Sequence, residues 1–213
     1  MWRYIGYLAV VCLSARAEYP ITENINDVLD EAFKYDNKVI TELGDGQIPF
    51  DATILYGAEL SQGTLIGCNS IKRTGDCFRT TFENGTYVTE LREGLELAIA
   101  TFNRVIQGDR VSTATLISST NSLHWSVVID PDSCVTRVPV FEIEVLEGTV
   151  HQFPRSKASP FSNIKEEINK QLIPFKTQLE KFIYDMCRKK TSHIDLASPF
   201  MRRLSTYMPL LLS

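Results

Sequence analysis

The 213-residue chain is 44% hydrophobic and 23% charged with a formal net charge of −4, the composition of one folded domain rather than a disordered or low-complexity segment. The acidic balance argues against sequence-independent nucleic-acid binding, which depends on cations that neutralise phosphates. No Gly-x-Ser-x-Gly elbow, His-Glu-x-x-His helix, phosphate-cradling glycine loop or dinucleotide fingerprint occurs, so a non-catalytic role is expected.

At the start of the chain Arg3 precedes the apolar run 5–13, and Ala15-Arg16-Ala17 offers small residues at the positions a signal peptidase reads. Residues 1–17 are expected to be a signal peptide and the protein to be secreted. The run falls short of the roughly 20 apolar residues a spanning helix needs.

Cys12 would leave with the signal, and Cys68, Cys77, Cys134 and Cys187 remain. An even set in an oxidising compartment reads as disulfides, for which three pairings exist. Cys68 with Cys77 is the first choice because the short stretch between them can turn back, which leaves Cys134 for Cys187. No cysteine pair has the short spacing of a zinc site, and His124, His151 and His193 are scattered, so no metal or cofactor is expected.

Residues 21–33, ITENINDVLDEAF, place Ile21, Ile25, Val28, Leu29, Ala32 and Phe33 on one helical face with Thr22 as N-cap. Gly44-Asp45-Gly46 and Pro49 interrupt regular structure. Strands are then predicted over 54–60, 64–68, 77–82, 87–107 with a break at Gly94, 111–118, 123–130 and 135–146. They are separated by the turn signals Gln62-Gly63, Thr74-Gly75-Asp76, Asn84-Gly85, Gly108-Asp109 and Asp130-Pro131-Asp132. Short connections imply antiparallel neighbours. Gly57, Gly67 and Gly94 suggest bulges or bends, and Pro139 an edge or a bulge. Asn84-Gly85-Thr86 is both a hairpin turn and a glycosylation acceptor.

The last long element is predicted over 163–190. Ile164, Ile168, Leu172, Phe175, Leu179, Phe182 and Met186 follow helical spacing, Asn163 is a good N-cap with Glu166 three residues on, and Arg188, Lys189 and Lys190 suit the C-terminal end. Pro174 predicts a kink. At roughly 40 Å this helix matches the longest strands. The fold class expected is therefore α+β, a highly curved antiparallel sheet wrapped around a long C-terminal amphipathic helix with a shorter N-terminal helix. One domain would cover 18–190, followed by a tail over 191–213.

Such a fold would line a groove for apolar ligands with Leu29, Phe33, Trp125, Phe141, Ile143, Ile168, Leu172, Phe175, Leu179 and Phe182; a filled core of the same residue types is the competing reading. Lys72-Arg73 could meet an anionic surface, against the plainer reading of solvated loop charges.

Residues 67–76, ending Ile71-Lys72-Arg73-Thr74-Gly75-Asp76, resemble the Gly-x-x-x-Met-Lys-Arg-x-Gly-Asp stretch of the mite group seven allergens. So do 21–32 and 167–180, EINKQLIPFKTQLE, including its proline. The resemblance implies the tubular lipid-binding fold of bactericidal/permeability-increasing protein, with lipid or another apolar molecule held between helix and sheet and no catalysis. The chain departs from that family in a short proline-marked lead-in to the helix at 153–162, in its tail and in its four cysteines. The alternative role is a secreted surface-recognition or innate-immune protein with a filled core.

Overall fold

The computed structural model describes residues 20–50, 53–55, 57–151 and 161–188. The expected signal segment 1–17 and the tail 191–213 lie outside the described residues.

The chain begins with strand β1 (Ile21–Asn24) and helix α1 (Asn26–Leu43). Thr22, expected to cap a helix, instead sits in β1 and shares a hydroxyl hydrogen bond with Thr80. The β-branched pair Ile21-Thr22 favours a strand. Asn24 then turns the chain, its Oδ1 accepting the Asn26 N–H at 2.9 Å. The helix runs on well beyond Phe33 and ends at Gly44, whose left-handed φ of 75° lets its N–H and that of Asp45 close on the last turn.

Strands β2 (Gln47–Phe50), β3 (Thr53–Leu55), β4 (Ala58–Ile66), β5 (Ile71–Arg73), β6 (Phe78–Thr81), β7 (Tyr87–Leu95), β8 (Ala98–Gln107), β9 (Arg110–Ile129) and β10 (Thr136–His151) follow, then helix α2 (Phe161–Arg188). All ten strands, β1 included, join one sheet in which every pairing is antiparallel. The two segments expected at 111–118 and 123–130 are one continuous strand, β9. Along one edge β9 pairs β8 through its first half and β7 through its second, while β10 runs along the other edge.

Polar Ser118 to Ser122 hid this continuity from the hydrophobic pattern. In the structure they serve the junction where β7 gives way to β8. Asn121 accepts the Leu95 N–H at 2.7 Å and donates to the Leu95 carbonyl at 3.0 Å, and Ser118 donates to the Glu147 carbonyl at 2.6 Å. A Cβ on Gly94 would strike the Asn121 carbonyl, so the close approach demands glycine there. Gln62, expected in a turn, lies inside β4 with φ 53°, the mark of a local irregularity within a strand.

The expected α+β architecture of a highly curved sheet wrapped around the C-terminal helix is corrected by this arrangement. The described chain is mainly antiparallel sheet, and the backbone of α2 comes close to β10 above all. The helix lies along that edge strand rather than inside the sheet. Its polar side chains take up backbone groups that β9 does not reach: Lys165 donates to Glu144 O, Asn169 pairs with Ile143 N–H and O, Lys176 donates to Pro139 O, and Glu180 accepts from Val138 N–H. The descending order of these partners shows that α2 runs antiparallel to β10.

The physical reason is the width of the apolar stripe. Ile164, Phe175, Leu179 and Ile183 are buried, whereas Glu166, Lys170, Ile173 and Lys181 are exposed. A charged half-circumference must stay in water and cannot be enclosed by a sheet. Covering an edge strand is what such a helix can do, and it removes an unpaired template for aggregation.

Candidate functional site

Three apolar clusters fill the space beneath the helices. The main one joins Cys77 and Leu91 of the β6–β7 region, Trp125, Val127 and Ile129 of β9, Val138 and Phe141 of β10, and Phe175, Leu179 and Ile183 of α2. A second joins Leu60, Phe102, Val105, Ala114 and Leu116 to Ile164, and a third joins Phe33 to Ile71.

Of the expected lining residues, Trp125, Phe141, Phe175 and Leu179 meet in the main cluster, with Leu29, Leu172 and Phe182 half-buried against it. Ile168 packs against the second cluster and Phe33 belongs to the third. Ile143 is half-buried and takes Asn169 on its backbone. Along α2 the apolar row is thus buried at Ile164, Phe175, Leu179 and Ile183 and only half covered at Ile168, Leu172 and Phe182, the first two lying where the two larger clusters meet. The stretch at Ile168 and Leu172, with Leu123 beside the Ile143 that Asn169 holds, is the candidate site.

A buried carboxyl lies at its sheet side. Glu93 follows Leu91 by two residues, so the period of a strand turns it onto the same inward face, and it faces Leu123 across the β7–β9 ladder. It is 6% exposed. Burial raises its pKa to about 7, the nearby Asp36 of α1 adds to the rise, and the Trp125 indole N–H, bonded to the carboxyl, opposes it. The opposite sheet face is polar: His124 meets Glu90 at 2.8 Å and Arg92 meets Glu144 at 3.2 Å.

Glu93 and Asp36 were not singled out from the sequence, although the two-residue step from Leu91 carries the signal for the first. Asn37 of α1 was missed as well. Its amide accepts the Ile71 N–H and donates to the Ile71 carbonyl, both at 2.8 Å, and so fixes α1 to β5.

The basic pair does not act as a unit. Arg73 is engaged by Asp30 through two hydrogen bonds of 3.0 and 2.9 Å, which leaves only Lys72 exposed. Asn84 is exposed in the β6–β7 turn, beside an open depression lined by Pro20, Phe82, Glu83 and Thr86.

Cys134 and Cys187 form a disulfide with Cα atoms 5.6 Å apart. It ties the start of β10 to the end of α2. Cys68 and Cys77 are both free and buried, which corrects the expected bridge between them. The intervening residues do not turn back, because 71–73 extend as β5 against β7. Cys68 is left on the Leu65 carbonyl side and Cys77 in the main cluster. Burial pushes the Cys68 thiol up to about 11.

Among the described residues there is no group of His, Cys, Asp and Glu that could hold a metal ion, and no helix long and apolar enough to cross a membrane. Comparison with known proteins finds no family model that matches the chain and no matching curated protein.

Proposed function

We infer that this is a secreted, non-catalytic binding protein for hydrophobic or lipid-like ligands, taken up between α2, α1 and the inward sheet face. The observation that carries the reading is the half-covered middle of the α2 apolar row at Ile168 and Leu172, between the buried Ile164 on one side and the buried Phe175 and Leu179 on the other. A helix that served only as an edge cover would gain most by burying its whole stripe. Each methylene a ligand buries there contributes about 0.8 kcal/mol.

Export is supported by the Cys134–Cys187 disulfide and by the exposed Asn84 acceptor. The resemblance of three segments to the mite group seven allergens is consistent with the same role. The surface-recognition alternative is weakened by the engagement of Arg73 with Asp30, which removes half of its basic step.

Native mass spectrometry of protein purified from a secretory host tests the reading. A mass increment that organic extraction removes is expected. A ligand-free mass, together with no uptake of added lipid, would overturn it.

A further inference from the structure

Among the described residues a few buried polar atoms have no hydrogen-bond partner, and two of them, on Arg79 and Thr89, belong to neighbouring strands. Arg79 of β6 and Thr89 of β7 stand directly opposite each other in the ladder, and Thr89 in turn faces Val127 of the main cluster. Directly opposed residues share a face, so the Arg79 and Thr89 side chains leave the sheet on the same, apolar side. Thr89 is 1% exposed, and neither its Oγ1 nor the buried Arg79 Nε has a hydrogen-bond partner among the described residues.

Arg79 is placed by Tyr87, over whose ring its guanidinium carbon sits 5.1 Å from the centroid. The contact is felt electrically: the Arg79 charge works to lower the pKa of the Tyr87 hydroxyl, against the rise that burial imposes. Glu23 of β1 is the acidic residue opposite Arg79 on its other side, yet no salt bridge joins them among the described residues. A guanidinium without a carboxylate and a hydroxyl without an acceptor are complementary to one kind of group, an anionic oxygen.

The geometry points to Arg79 and Thr89 as the receptor for the anionic head, carboxylate or phosphate, of a long-chain amphiphile whose apolar tail runs beneath α2. This deepens the binding reading above and rests on it. The span from Ile183, which shares the main cluster with Val127, to the half-covered Leu172 is about 16 Å along the helix, and the covered Phe175 and Leu179 between them must swing aside for an extended tail to reach it. The guanidinium supplies a fixed fork of donors to two oxygens, and Thr89 donates a further hydrogen bond from inside the core. Tyr87 keeps the fork from turning back to solvent.

The test compares three probes with the same tail, palmitate, hexadecyl phosphate and hexadecanol, by calorimetric titration of the disulfide-intact protein. The two anions are expected to bind at least about tenfold more tightly than the alcohol. Arg79→Gln should erase that preference while leaving hexadecanol affinity unchanged. Preference for palmitate alone, or for the phosphate alone, identifies the head-group source.

Should Arg79→Gln fail to fold, Thr89→Val keeps shape and removes only the hydroxyl, and the preference should fall severalfold. Equal affinity for all three probes in the wild type, or a preference that survives in both variants, would overturn the head-group assignment and leave the hydrophobic-ligand reading standing. Failure of all three to bind would remove both.

Discussion

Asn169 holds both backbone groups of Ile143: its Oδ1 accepts the Ile143 N–H at 2.7 Å and its Nδ2 donates to the Ile143 carbonyl at 3.0 Å. A side-chain amide thereby replaces the missing neighbouring strand for one residue of β10. Asn37 does the same for Ile71 of β5 and Asn121 for Leu95 of β7. Both helices are fixed to strands by this device.

Asn169→Leu should therefore destabilise the protein although leucine is the better helix former. Two partly buried backbone groups lose their partner, at a cost of about 1–3 kcal/mol. Urea unfolding of the variant checks this. A variant as stable as the wild type would show that the packing of Phe175, Leu179 and Ile183, and not the amide, holds the helix to the sheet.

Glu93 predicts a pH dependence of stability. Its carboxyl has an ordinary value of 4.5 and is raised to about 7 in the fold, first by burial and then by Asp36, with the Trp125 N–H opposing. The folded state therefore holds the proton in a range where the unfolded state has lost it. The contribution is intact below pH 4.5, declines as pH rises between 4.5 and about 7, and is absent above that, a change of about 3 kcal/mol. Glu93→Gln should flatten this part of the profile and exceed the wild type in stability at alkaline pH. Parallel profiles for the two proteins would contradict it.

Cysteine chemistry should divide the four residues after the expected signal into two classes. Peptide mapping without reductant should recover a Cys134–Cys187 linked pair and thiols at Cys68 and Cys77. Alkylation of the folded protein should be slow at both thiols, because both are buried and burial raises both pKa values. A linked Cys68–Cys77 peptide would show that the 71–73 strand pairing is wrong.

Much of the secondary structure is legible in the amino-acid pattern. The 3.6-residue row from Ile164 to Ile183 marks α2, and the two-residue hairpin loop at Gly108-Asp109 joins β8 to β9 as its sequence suggests. The relation of helix to sheet is not legible, because a one-sided stripe fits a helix in a wrapped sheet and a helix on an edge equally well. The deciding residues, Asn169 and Asn37, are polar and belong to no apolar stripe, so the hydrophobic pattern does not single them out. A mid-helix asparagine bordering an apolar stripe is a weak signal of such a role, since its amide competes with helical backbone bonds.

The candidate site is split in the same way. Trp125, Phe141, Phe175 and Leu179 are brought together as their periodicity suggests, while Phe33 and Ile168 go to other clusters. Which strand lies under which part of α2 depends on the β9–β10 register, and local patterning does not fix that. Arg79 and Thr89 meet only through the β6–β7 ladder, so nothing in their separate surroundings announced a pair.

The most direct measurement concerns Leu172, the half-buried residue in the middle of the α2 row. A leucine packed on all sides by protein loses about 2–5 kcal/mol on replacement by alanine. If Leu172 faces ligand, the ligand-free Leu172→Ala protein should lose well under that amount in denaturant unfolding, while its affinity for palmitate falls severalfold. A full core-sized loss of stability with unchanged palmitate affinity would place Leu172 in a filled core and contradict a binding site beneath the helix.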